Sequence, residues 1–96
     1  MLSKNELKLI TSLQRKKYRI QHQLFVAEGI KVVNEFLNSN LQIEKLFCTE
    51  DYYDAISNYK PEIVSDKELS KLSNLSTPNK VIAVFNIPTN TEILSN

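Results

Sequence analysis

The spacing of apolar residues predicts four helices, of which the first two are the clearest. Leu9, Ile10 and Leu13 fall on one helical stripe behind residues 3–6 (SKNE), a sequence in which serine and glutamate can cap a helix reciprocally. This pattern predicts a first helix over about residues 4–15. A second helix is predicted directly after Gly29, where one face is apolar and the other polar. Its apolar residues are Ile30, Val32, Val33, Phe36 and Leu37.

Two shorter helices are predicted further along the chain. Glu50 and Asp51 follow Thr49, and acids of this kind stabilise a helix N-terminus. The inner side of this third helix would comprise Tyr52, Ala55, Ile56 and Tyr59. Residues 65–68 (SDKE) repeat the capping pattern, and apolar residues follow at positions 69 and 72. The fourth helix is therefore expected to end near residue 74.

Four short β-type runs separate and follow these helices. They are LFVA (24–27), IEKLFCT (43–49), EIV (62–64) and VIAVF (81–85). The last run is apolar throughout, which is typical of a strand covered on both faces in a mainly parallel sheet. The alternating order of helices and strands predicts an α/β fold, a three-layer α/β/α sandwich with a small, mainly parallel mixed sheet.

The composition excludes several kinds of site. One histidine and one cysteine cannot supply four Cys/His ligands to zinc, so no metal is expected, and the lone Cys48 is expected to be buried. A single glycine excludes the glycine-rich loops that bind nucleotide phosphates. No run approaches the roughly 20 apolar residues that span a bilayer, and no signal-peptide core is present. We therefore expect a cytoplasmic binding module that contacts no membrane.

The net charge of +1 conceals an uneven distribution. Residues 1–31 contain seven cations and two acids, a net charge of +5, which leaves −4 on residues 32–96. Four of the cations lie between positions 15 and 19, in a segment that we predict to be a loop. This separation predicts one basic face and an anionic partner, although lysines that are merely solvated would give the same pattern.

Residues 15–37, RKKYRIQHQLFVAEGIKVVNEFL, resemble the opening of the SpoU-type RNA 2′-O-ribose methyltransferases. That family has a basic K-x-R-like segment, matched here by Lys17 and Arg19. An F-x-x-E-G turn follows, matched by Phe25, Glu28 and Gly29, and then an amphipathic helix. A second match, LSNLSTPNKVIAVFNIP at 72–88, resembles the Ser/Thr-Pro segment and last strand of the same domain.

The resemblance covers about residues 3–88 and identifies the chain as similar to the N-terminal substrate-binding domain of that family. It implies a fold like that of the kink-turn-binding ribosomal proteins. Residues 1–88 are accordingly predicted to form an RNA substrate-binding domain, and residues 89–96 to begin a linker or tail. The chain departs from the family at Pro78-Asn79-Lys80, where Gln-Gly commonly follows the proline.

The resemblance also implies that the chain is part of a longer enzyme. The catalytic domain of that family is a trefoil-knotted fold that uses S-adenosylmethionine to methylate a ribose 2′-hydroxyl and usually forms a homodimer. Its Asn-x-Gly, glycine-rich and Ser-Leu-Asn motifs are absent from this sequence. No bound cofactor and no catalytic residue are therefore expected here, and the implied partner is ribosomal or transfer RNA. Two alternatives remain open: a stand-alone kink-turn-binding protein, and a protein-interaction module that binds an acidic surface.

The residues expected to contact RNA lie mainly in the basic segment. They are Arg15, Lys16, Lys17, Tyr18, Arg19, His22 and Lys31. Cations neutralise phosphates, and the two aromatic rings could stack on unpaired bases, although Tyr18 could equally be a half-buried anchor. Glu28 is expected either to bind Arg19 or Lys17 or to stabilise the helix that follows. Gly29 is expected to permit the turn from strand to helix.

Overall fold

The computed structural model of the chain describes residues 2–74 and 79–88. Within these ranges the chain forms five α-helices: α1 (Lys4–Ser12), α2 (Lys16–His22), α3 (Ile30–Leu37), α4 (Tyr53–Ile56) and α5 (Asp66–Leu72). It also forms four strands: β1 (Leu24–Glu28), β2 (Ile43–Cys48), β3 (Glu62–Ile63) and β4 (Val81–Asn86). Short 3₁₀ turns at Glu50–Tyr52 and Ser57–Tyr59 flank α4. The predicted tail, residues 89–96, lies outside the described residues.

The four strands form one mixed sheet in the order β1-β4-β2-β3. The α/β prediction is confirmed, but the expectation of mainly parallel pairing is wrong. Strand β4 is antiparallel to both β1 and β2, and the short β2–β3 pair is parallel. The apolar run in β4 arises because helices cover both faces of this inner strand, and such covering does not depend on strand direction.

Helices cover the sheet from two sides, which confirms the three-layer arrangement. On one face, Ile10 and Leu13 at the end of α1 and Leu69 of α5 pack in a cluster with the sheet residue Phe47. On the other face, the buried residues include Val33 of α3. Cys48 belongs to this second cluster and is completely buried, as predicted. None of the helices among the described residues is long and apolar enough to cross a bilayer.

The predicted face of α3 is only partly correct. Val33 is completely buried, but Ile30 and Val32 are 43% and 42% exposed. The side chains that α3 buries cover a narrower part of its circumference than its apolar side chains do, because this short helix contacts the sheet along one side. The helix therefore leaves two apolar side chains partly in solvent.

Both predicted capping boxes are present. In α1 the Ser3 hydroxyl accepts a hydrogen bond from the backbone N–H of Glu6 at 3.0 Å, and the Glu6 carboxylate accepts one from the Ser3 N–H at 3.1 Å. Glu6 also binds Lys45 of β2 at 3.1 Å. The same reciprocal bonds join Ser65 and Glu68 at the start of α5. Each box satisfies backbone donors that the first helical turn leaves unpaired.

Acidification is expected to weaken the attachment of α1 to the sheet. The Ser3 backbone hydrogen bond, followed by the contacts from Lys45, holds the pKa of Glu6 below its ordinary value of 4.5. A carboxyl whose pKa is lower in the folded than in the unfolded protein stabilises the fold at pH values above its unfolded-state pKa. This stabilisation is lost as the pH falls through its folded-state pKa. The melting temperature, measured from neutral pH to below pH 4.5, should fall less in Glu6→Gln than in the wild type. Equal pH profiles would contradict this role of Glu6.

Candidate RNA-binding surface

The basic segment forms the helix α2, so the prediction of a loop for residues 15–19 is wrong. Arg15 is extended at φ −100°, ψ 133° and precedes the helix, while Gln23 ends it in the left-handed conformation at φ 56°, ψ 43°. None of the residues in α2 is buried, and Ile20 is 57% exposed. The helix therefore lacks the apolar stripe by which helices are recognised in a sequence.

Three of the predicted RNA contacts form an exposed basic group at the start of α2. Arg15, Lys16 and Lys17 are all solvent-exposed. Among the described residues, none of the three has an acidic partner, whereas Lys45 and Lys80 elsewhere bind Glu6 and Asp51. Their charge is therefore available to an external anion. We call these three residues the basic triplet.

Tyr18 and His22 lie one turn apart on α2. Their ring centroids are 6.5 Å apart with an interplanar angle of 22°, and the Lys17 ammonium lies 5.6 Å from the centre of the Tyr18 ring. Tyr18 is half-buried and His22 is exposed. This arrangement presents a cation and aromatic rings together, a combination suited to phosphate and unpaired bases.

A groove of about 390 Å³ runs between α1 and α2 beside the basic triplet. Its lining, which defines the α1–α2 groove, consists of Lys8, Thr11, Ser12, Gln14, Arg15 and Tyr18. Lys8 is not among the RNA contacts predicted from the sequence. Lys8 lies on the polar face of α1, and its proximity to Arg15 depends on the turn between the two helices.

Arg19 has a different environment from the basic triplet. It is half-buried, and its Nη1 donates a hydrogen bond to the carbonyl oxygen of Leu13 at 2.9 Å. This bond satisfies a carbonyl at the C-terminal end of α1, where helices leave such groups unpaired. Arg19 thus connects consecutive helices, and its guanidinium is held in one orientation.

Glu28 connects the two segments on which the family resemblance rests. Its carboxylate accepts hydrogen bonds from the backbone N–H of Asn74 at 2.8 Å and the Asn79 side-chain amide at 3.3 Å. The Ser73 hydroxyl is a third donor. The predicted partners Arg19 and Lys17 are wrong, because Glu28 instead bonds to the residues after α5. Nothing in the local sequence indicated these partners, which lie more than forty residues away.

The turn between β1 and α3 requires Gly29, as predicted. This residue has φ 97° and ψ 151°, a conformation that is open to glycine and costly for other residues. A Cβ at this position would lie 3.7 Å from Asn79 Oδ1, an ordinary contact, so the backbone conformation sets the requirement. Asn79 itself contacts Glu28, while Pro78 of the same motif lies outside the described residues.

Lys31, the remaining predicted contact, is exposed on α3. Lys31 does not line the α1–α2 groove, and α3 packs on the opposite face of the sheet from α1. In the ranges that the structure describes, no three His, Cys, Asp or Glu residues are grouped so as to hold a metal ion.

Comparisons with known proteins agree on one family. A sequence profile described as the MRM3-like substrate binding domain matches residues 4–83. A solved protein from Porphyromonas gingivalis, assigned to the TrmH family of RNA methyltransferases, superposes with a TM-score of 0.80 and 33% sequence identity. The match covers 94% of this chain and 37% of that protein. A comparison with curated protein sequences found no significant match.

Two further structures share the fold at lower sequence identity. An RNA 2′-O ribose methyltransferase matches with a TM-score of 0.75 and 21% identity, over 92% of this chain and 36% of its own. An AdoMet-bound rRNA methyltransferase from Sinorhizobium meliloti matches with a TM-score of 0.73 and 23% identity. That match covers 94% of this chain and 36% of the methyltransferase. The chain therefore spans little more than a third of the length of these proteins.

Proposed function

Because the chain belongs to the family of MRM3-like substrate-binding domains, we propose that it binds structured ribosomal or transfer RNA and presents a ribose to a separate methyltransferase domain. The separate domain would supply the chemistry, methyl transfer from S-adenosylmethionine to a 2′-hydroxyl, and would form the homodimer. We assign the cofactor to that domain because the Asn-x-Gly, glycine-rich and Ser-Leu-Asn motifs of the family's catalytic domain do not occur in this sequence. This chain would bind and orient the RNA.

The observation that carries the proposal is the basic triplet. Arg15, Lys16 and Lys17 are adjacent, exposed and without acidic partners among the described residues. Such cations bind phosphates with little sequence preference and orient the nucleic acid, while neighbouring aromatic rings engage unpaired bases. Tyr18 and His22 provide these rings on the same helix.

Salt dependence tests the proposal directly. Neutralising about three phosphates should give a slope of about −2 to −3 in a plot of log affinity against log salt concentration. Binding to total bacterial RNA, measured by mobility shift, should therefore weaken by more than about tenfold between ~50 and ~200 mM salt. Absence of binding at low salt would contradict RNA capture by this chain. Preferential binding to an acidic protein under the same conditions would instead favour the interaction-module alternative.

A further inference from the structure

A second cavity lies beside the α1–α2 groove and differs from it in chemistry. It has a volume of about 310 Å³ and opens between α1, α2, β1 and the end of α5. Its inner wall includes Ile10 and Leu13, which are 1% and 2% exposed and therefore make an apolar floor. Its polar residues are Gln14, Arg19, Glu28 and Asn74. We call this cavity the Arg19 cleft.

We propose that the Arg19 cleft binds one unpaired nucleobase of the RNA, an inference that rests on the proposed RNA-binding function. The cleft contains one cation, Arg19, and one acid, Glu28, so their charges cancel. A phosphate entering it would meet the Glu28 carboxylate and lose solvation. A neutral planar group that has both hydrogen-bond donors and acceptors matches the lining, and a nucleobase is such a group.

The two charged side chains are held in place but retain bonding capacity. A guanidinium has five N–H donors, and among contacts with described residues Arg19 uses one of them, on the Leu13 carbonyl. A carboxylate offers about four acceptor positions, and in the described part of the chain Glu28 uses three of them on Ser73, Asn74 and Asn79. The cleft can therefore donate to base carbonyl or ring-nitrogen acceptors and accept an N–H from the same base. Because both groups are already positioned, little conformational entropy is lost on binding.

The adjacent groove provides the place for the backbone of the same nucleotide. Gln14 lines both the Arg19 cleft and the α1–α2 groove, so the two cavities adjoin at this residue. The described residues that line the groove include the cations Lys8 and Arg15 and no acid, which suits a phosphate. The two cavities thus separate the two parts of a nucleotide, with the base toward the core and the phosphate toward the basic triplet.

A charge-conserving substitution distinguishes base binding from phosphate binding. Arg19→Lys keeps the positive charge but removes the planar fork of donors, whereas Arg15→Lys makes the same change in the groove. The probe is an RNA hairpin with a purine-rich loop, in which each loop nucleotide in turn is made abasic. In the wild type and in Arg15→Lys, one abasic position should weaken binding by about tenfold. In Arg19→Lys that penalty should largely disappear, while the salt slope stays unchanged.

A cavity-filling variant gives a second test without any change of charge. Val26 lines the Arg19 cleft and is half-buried, so Val26→Met should narrow it and also reduce the abasic penalty. Thermal unfolding would confirm that each variant is folded. If no abasic position weakens wild-type binding, or if Arg19→Lys retains the full penalty, the base-binding proposal is wrong and RNA capture by the basic triplet still stands. If the wild type does not bind the hairpin or total RNA, the proposed function fails as well.

Discussion

Replacing Arg15, Lys16 and Lys17 together with alanine is expected to weaken RNA binding by about a hundredfold at low salt. Each side chain is exposed and lacks an acidic partner among the described residues, so its full charge can neutralise a phosphate. Losing three such contacts should also reduce the salt slope by about two to three. Arg19 is left unchanged because its bond to Leu13 supports the turn between α1 and α2. Mobility shift with total RNA at two salt concentrations measures both quantities.

The matched control removes three cations from another part of the molecule. Lys60, Lys67 and Lys71 are also exposed, and they lie outside α1 and α2. Their replacement by alanine changes the net charge equally and should reduce RNA affinity only slightly. Equal losses in the two triple variants would show that net charge, rather than the basic triplet, determines binding. Unchanged binding in the first variant would assign RNA capture to a different face.

Phe85→Ala is expected to lower the free energy of unfolding by about 3–5 kcal/mol. Phe85 is completely buried on the inner strand β4, and its ring lies 5.8 Å from that of Phe25 and 5.5 Å from that of Phe36. Truncation would leave a cavity under both rings, at the junction of β1, β4 and α3. Since the total stability of a small domain is about 5–15 kcal/mol, this loss is a large fraction of it.

Denaturant unfolding of the wild type and two control variants measures this effect. Phe85→Leu retains most of the side-chain volume and should cost less than about 1.5 kcal/mol. Tyr59→Ala removes an aromatic ring that is 39% exposed and should therefore cost clearly less than Phe85→Ala. A loss in Phe85→Ala as small as that in Tyr59→Ala would mean that the three-ring cluster contributes little to the core.

Elements with strong local signals could be predicted from the sequence. The capping residues Ser3 and Glu6 act within one turn, so the first helix begins as expected. The requirement for glycine at position 29 likewise follows from a strand that leads directly into a helix. In both cases the deciding interaction lies within a few residues of the chain.

The features that were missed depend on tertiary contacts. Helix α2 has no buried residue, so no apolar stripe in the sequence could reveal it. The turn that connects it to α1 is closed by the hydrogen bond from Arg19 to the Leu13 carbonyl. The prediction of mainly parallel pairing for β4 is wrong because a strand covered on both faces has the same apolar sequence pattern in parallel and antiparallel sheets. The partners of Glu28 come from the segment after α5, and Lys8 joins the groove through helix packing. Each of these contacts requires the assembled fold.

The inner position of β4 also has a consequence for synthesis on the ribosome. Strands β1 and β2 do not pair with each other, and each pairs with β4, the last strand of the described chain, in contacts such as that between Leu24 and Asn86. Before β4 emerges from the exit tunnel, the nascent chain has only the two-residue β2–β3 pairing among the described strands. During that interval Phe25 lacks its β4 partner Phe85, and Phe47 lacks its β4 partner Ile82. The sheet therefore cannot complete its pairing until β4 has emerged, and chaperones that bind exposed apolar segments would act on the nascent chain before then.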